Sequence, residues 1–189
     1  MQLLLLALTL TTATFLFGCS PQSPEVLSET SSSEIPQKTS PTPLNAALEE
    51  MRVLKIKLEK PDGITLKEYE ENINDLENIV NKAKGAPKVL STVKSALKGH
   101  QLALQFWQCD RAGGYDELYE CRDKALKAIF VKYPNIKSQA KAAVTDEKLP
   151  FLSAGLDKEG VLRAIWTQTS TDTDVAIQAT SLPSPQKER

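Results

Sequence analysis

The stretch TLKEYEENINDLENIVNKA, Thr65–Ala83, decides how the rest of the chain reads. Thr65 followed three residues later by Glu68 is a capping box, in which each side chain satisfies an otherwise orphaned backbone N–H of the first helical turn. Ile64, just before the cap, is placed to staple onto Tyr69. Leu66, Tyr69, Ile73, Leu76, Val80 and Ala83 then recur at alternating steps of three and four. That period belongs to one apolar face of a helix, and its near-heptad regularity is that of a seam between packed helices.

Outward from this seam the same grammar repeats. Upstream, Thr42-Pro43 supplies a cap and a first-turn proline, Leu44, Ala47, Met51, Leu54 and Leu58 form a stripe, and Pro61-Asp62-Gly63 ends the helix. So short a turn predicts two antiparallel neighbours. Downstream, Gly85-Ala86-Pro87 breaks the chain before a third helix with Leu90, Val93, Leu97, His100, Leu104 and Trp107 on one face. A fourth is predicted from about Asp116 to Tyr133, carrying Leu118, Cys121, Ala125, Leu126, Ile129 and Phe130. Pro134 closes it, and Asn135 is read as the cap of a fifth bearing Ile136, Ala140, Ala143 and Val144, ended at Leu149-Pro150. A sixth, shorter helix is expected around Lys158 to Thr167, with Val161, Leu162, Ile165 and Trp166. No alternating strand pattern precedes residue 170. The fold class is therefore all-α: a small antiparallel bundle of about four to six helices over residues 44–168, enough chain for one core. Residues 169–189, TSTDTDVAIQATSLPSPQKER, are polar and then proline-bearing, and read as a disordered tail in which Val175-Ala176-Ile177 has at most a short strand to offer.

The N-terminus carries an address. Leu3 to Phe17 is apolar or threonine, with no charge before Glu25. It is too short for the ~20 apolar residues of a membrane span and fits the apolar core of a signal peptide over residues 1–18. Leu16-Phe17-Gly18-Cys19 resembles the lipobox of bacterial lipoproteins. The resemblance implies that the Cys19 thiol takes a diacylglyceryl group and becomes the first mature residue, and that Ser20 behind it permits outer-membrane delivery in a Gram-negative cell. It departs from the pattern in lacking a positive charge before the apolar run and in placing the large Phe17 two residues before the cysteine. Two or three acyl chains anchor durably, where one anchors only marginally. Residues 19–43, rich in Ser, Thr and Pro, have too few apolar groups to offset the entropy of ordering and read as a disordered tether. The expected localisation is exported and held to a membrane by lipid.

Little in the bundle suggests catalysis. With Cys19 acylated, Cys109 and Cys121 remain, an even pair that an oxidising compartment joins as a disulfide. Closing a loop of that size contributes ~3 kcal/mol in the chain-entropy description. Two cysteines and one histidine fall short of a structural zinc site. His100, the only histidine, reads as a core-edge side chain because no serine or carboxylate arrangement selects it as a base. Glu49-Glu50, Glu70-Glu71 and Asp116-Glu117 are adjacent, so each pair diverges on a helix. Gly113-Gly114 lacks the preceding strand of a phosphate loop. No enzyme activity, metal or cofactor is expected.

Charge is distributed unevenly beneath a net charge of -1. Residues 44–81 hold nine acids against five bases, whereas residues 82–109 hold five lysines, Lys82, Lys84, Lys88, Lys94 and Lys98, and no acid. A second group is Lys124, Lys127, Lys132, Lys137 and Lys141. One reading pairs an acidic second helix with a basic third one. The other offers Lys84, Lys88, Lys94 and Lys98 as candidate partner-binding residues for an acidic protein, glycan or lipid surface. Export and the acidic pI disfavour nucleic acid. Two functions follow: a non-enzymatic docking or accessory subunit of a membrane or envelope complex, anchored in lipid through Cys19, or a carrier of a small apolar ligand with Phe106, Trp107, Tyr119 and Phe130 as candidate lining.

Overall fold

Half of the expected capping box forms: Thr65 caps the helix, while the Glu68 carboxylate pairs with Lys57 instead of reaching back to the cap. In the computed structural model, which describes residues 42–60, 63–144 and 149–181, the Thr65 hydroxyl accepts from the Glu68 backbone N–H at 3.2 Å and opens α2, Leu66–Lys82. Tyr69, Ile73, Leu76 and Val80 are buried along its inner face. Before it, α1, Pro43–Glu59, is capped by Thr42 and buries Ala47, Leu48, Met51 and Leu54. After it come α3, Pro87–Gln108; α4, Tyr115–Lys132; α5, Pro134–Ala143; and α6, Lys158–Ser181. The described residues contain no strand. The signal peptide, the lipobox and the tether up to residue 41 lie outside them.

α1, α2, α3 and α6 close a four-helix ring. α2 and α6 each pack against both α1 and α3, and α1 meets α3 across the diagonal. The α3–α6 pair is antiparallel, since Ser95 faces Asp172 near one end and Trp107 faces Trp166 near the other. The close approach of this pair follows from its residues. Gly99 lies between Ala96 and Ala103 on one stripe of α3, opposite Thr169 of α6, and all are buried. α4 and α5 form an arm outside the ring, with α4 on α3 and α5 reaching α6. Lys132 ties the arm down, its Nζ 2.9 Å from Asp172 and donating to Ser95 at 2.8 Å.

Three expectations are corrected. The sixth helix does not stop near Thr167, and residues 169–181 are neither tail nor strand but the second half of α6. Thr169, Thr173 and Ala176 are buried there at steps of four and three. The two threonines pack inward because their hydroxyls donate to the carbonyls of Ile165 and Thr169, at 2.8 and 3.0 Å. Asn135 does not cap α5; Tyr133 holds that position and Pro134 fills the first helical one. Lastly, the acids of α2 do not pair with the lysines of α3. Glu68 pairs with Lys57, Glu70 with Arg111 and Glu71 with Lys67.

Cys109 and Cys121 are bonded, with Cα atoms 5.6 Å apart, linking the turn after α3 to the second turn of α4. Replacing Cys109 with serine is expected to lower stability by ~3 kcal/mol under oxidising conditions and by much less in reductant. Urea unfolding in both conditions measures it, and equal midpoints for wild type and variant in oxidant would remove the disulfide from the energetics.

Candidate functional site

Two features of the bundle surface stand out. The first is a run of lysines across the α2–α3 turn and along α3. Lys82, Lys84, Lys88, Lys94 and Lys98 are all exposed. None makes an ion pair with any described residue, while Lys55, Lys57, Arg111, Arg122, Lys132 and Lys158 each do. No acid lies in the sequence from 78 to 109 to neutralise them. The α2–α3 turn that bears Lys84 rests on the start of α1, since a Cβ on Gly85 would lie 3.0 Å from the Leu44 side chain. The start of α1 therefore lies beside the turn that bears Lys84.

The second feature is a cleft of about 640 Å³ between the C-terminal half of α1 and α6. Leu58 and Trp166 give it an apolar wall, Lys60 and Arg163 give it cations, and Ser170 gives it a hydroxyl. A smaller hollow of about 300 Å³ on the α5 side shares Arg163 and Thr167 with it. His100, 2 % exposed, forms part of the inner wall. Its Nδ1 is 2.9 Å from the Tyr69 hydroxyl, which accepts a hydrogen bond from Trp166 Nε1 at 3.2 Å. Tyr69, Trp107 and Trp166 pack ring against ring at centroid distances of 5.7 to 5.9 Å. Burial holds the His100 imidazole down to about 3, against a weaker upward pull from Asp172, so the ring is neutral at neutral pH. Burial likewise pushes the Tyr69 hydroxyl well above its ordinary range. This group forms a hydrogen-bonded wall whose histidine is neutral at neutral pH.

The aromatic side chains expected to line a ligand site do not gather into one. Phe106 is core, Trp107 belongs to the Tyr69 group and Phe130 packs half-buried on the core. Tyr119 stacks on Phe151 and meets Tyr115 edge to face. None of the four lines either cavity, because large apolar rings at helical spacing fill the seam that the helices share. Near the disulfide the buried feature is ionic. Arg122 is paired with Asp110 at 2.6 Å and lies over the rings of Phe106 and Tyr119. Burial alone would raise the Asp110 carboxyl, but hydrogen bonds from Arg122 and Lys158 hold it below its ordinary range.

Sequence reading missed Lys60, Arg163 and Trp166 as neighbours. The available signal was Arg163, Trp166 and Ser170 on α6, a cation, a ring and a hydroxyl at steps of three and four along one edge of the apolar stripe. Among the described residues no three His, Cys, Asp or Glu side chains gather to hold a metal ion, and no helix is long and apolar enough to cross a membrane. No known protein family, curated protein or solved structure matches the chain.

Proposed function

We propose that this chain is an exported, lipid-anchored accessory protein without enzymatic activity, which docks its helical bundle, through the lysines of the α2–α3 turn and α3, onto an acidic face of a membrane-held partner. The observation that carries the reading is the series of exposed, unpaired lysines from Lys82 to Lys98, whose first members flank the turn that rests on the start of α1. Exposed ammonium groups without internal partners add little to fold stability and raise the rate and specificity of encounter with an anionic surface. The lipobox-like Leu16-Phe17-Gly18-Cys19 supplies the anchor in this reading. The Cys109–Cys121 bond fits an oxidising compartment.

The test is cross-linking in native membranes, comparing wild type with a variant carrying Lys84→Glu, Lys88→Glu, Lys94→Glu and Lys98→Glu, and with Lys124→Glu/Lys127→Glu as the control for charge alone. A partner captured by wild type and by the control, and lost from the first variant, is the expected result. Capture of the same partner by all three sinks the docking face. Cys19→Ser is expected to release the folded protein from membranes, and a variant that stays membrane-bound would remove the anchor.

A further inference from the structure

We propose that the α1–α6 cleft is a binding site for a small organic carboxylate, with Arg163 and Lys60 on the carboxylate, Trp166 and Leu58 against the apolar body, and His100 Nε2 donating to a further oxygen. This inference stands apart from the docking face and uses none of its lysines.

The first support is the unspent bonding capacity of His100. Trp166 Nε1 donates to the Tyr69 oxygen, so the Tyr69 proton is free to go to His100 Nδ1 at 2.9 Å, a closer acceptor than the His100 carbonyl at 3.3 Å. With Nδ1 accepting, the neutral ring carries its proton on Nε2. Nε2 has no partner among the described residues. Yet the single buried side-chain nitrogen or oxygen without a partner there is Arg122 Nε. His100 Nε2 therefore opens onto the cleft that His100 lines, as a donor on a ring held by the Tyr69 hydroxyl, which Trp166 Nε1 holds in turn. An apolar residue would fill this core position without burying a polar ring.

The second support is Arg163. Arg52, Arg111 and Arg122 each pair with a carboxylate, whereas Arg163 alone among the described arginines has none, and it lines the cleft. Its planar fork matches a carboxylate with two parallel hydrogen bonds. Lys60 also lines the cleft and is unpaired; of the two carboxylates there, Glu159 is engaged by Lys158 and Glu59 is not paired among the described residues, so the free cations exceed the free acid by one. The third support is size and mixture: about 640 Å³, with an apolar wall and a few convergent polar groups, is the character of a small-molecule site.

The experiment titrates the full chain with benzoate, 4-hydroxybenzoate, indole-3-acetate and hexanoate, each beside its primary amide. Tryptophan fluorescence and the side-chain NMR signals of His100 and Trp166 are the readouts. The expected result is that at least one carboxylate binds with Kd below about 1 mM, and that its amide and the Arg163→Gln variant each bind at least about tenfold more weakly. The Arg163 side chain is exposed, so the variant is expected to keep its melting temperature. Lys84→Gln/Lys88→Gln is expected to bind like wild type. The proposal is overturned if no carboxylate reaches that affinity, if the amides bind equally well, or if Arg163→Gln binds undiminished.

Discussion

Replacing Gly99 with alanine is expected to destabilise the protein by about 3 kcal/mol, the reverse of what the substitution does in an ordinary helix interior, where it gains up to about 1 kcal/mol. The reason is the α3–α6 contact. A Cβ at position 99 would overlap the Tyr133 hydroxyl and Thr169 Oγ1, and would stand 3.0 Å from Thr169 Cγ2. None of these is the loose end of a flexible chain. The Tyr133 hydroxyl donates to Asp172 at 3.0 Å and lies 3.2 Å from Thr169 Oγ1, whose own proton goes to the Ile165 carbonyl. Overpacking costs about 1–3 kcal/mol, and displacing a buried hydroxyl from its partners about 1–3 kcal/mol more, which together outweigh the propensity gain. Urea unfolding decides the matter. A Gly99→Ala protein as stable as wild type would mean that α3 and α6 have room to part. Thr169→Ser in the same background is the informative second variant, since removing one methyl relieves part of the overlap and should recover part of the loss.

The same contact shows where the sequence was legible and where it was not. α1, α2 and the start of α3 were readable because each advertises itself twice, by a cap or proline and by an apolar stripe of large residues such as Met51, Ile73 and Leu97. The second half of α6 advertises neither. Its inward residues are Thr169, Thr173 and Ala176, small or hydroxylated because α3 presents Gly99 and two alanines and leaves no room for leucine. Hydropathy scores a threonine as polar. It does not register that the hydroxyl satisfies itself on its own helix and leaves a methyl to pack. Gly99, in the middle of an otherwise good helix, was the available warning of a close approach. The cleft was hidden for a related reason. Its residues come from α1, α3 and α6, which are remote in sequence, and their convergence depends on α6 being long enough to lie along α1, where Lys55 meets Asp174 at 2.9 Å. The lysine run, by contrast, was visible as a stretch without acids. What the sequence left open was whether α2 neutralises it, and the pairing of Glu68 and Glu70 with Lys57 and Arg111 answers that.

Acid should unfold this protein earlier than its carboxylates alone would dictate, and His100 is the cause. In the unfolded chain the imidazole titrates near 6.5, while in the bundle burial lowers it to about 3, so between those values the unfolded state holds a proton that the folded state lacks. Stability is therefore fully present above pH 6.5 and falls on acidification by about 1.4 kcal/mol per pH unit until the folded value is reached. Over the whole interval that approaches about 5 kcal/mol, a large part of the stability of a domain this size. Asp172 of α6 is the charge that most favours protonation, and Tyr69 of α2 holds the other side of the ring. Asp110 and Glu70, both held below the usual carboxylate range by arginine partners, keep their charge until well below the pH at which the histidine effect begins. The two contributions thus separate along the pH axis. Urea midpoints taken at half-unit steps from pH 7.5 to 5 should slope downward from about 6.5 in wild type. In His100→Gln, which replaces the titrating ring with a neutral hydrogen-bonding side chain, the same range should be flat, whatever the variant loses at pH 7.5. A wild-type curve that is flat down to pH 5 would mean the ring is protonated in the folded state at little cost, with the added proton on Nδ1 donated to the Tyr69 hydroxyl and Nε2–H donating to water or an anion in the cleft.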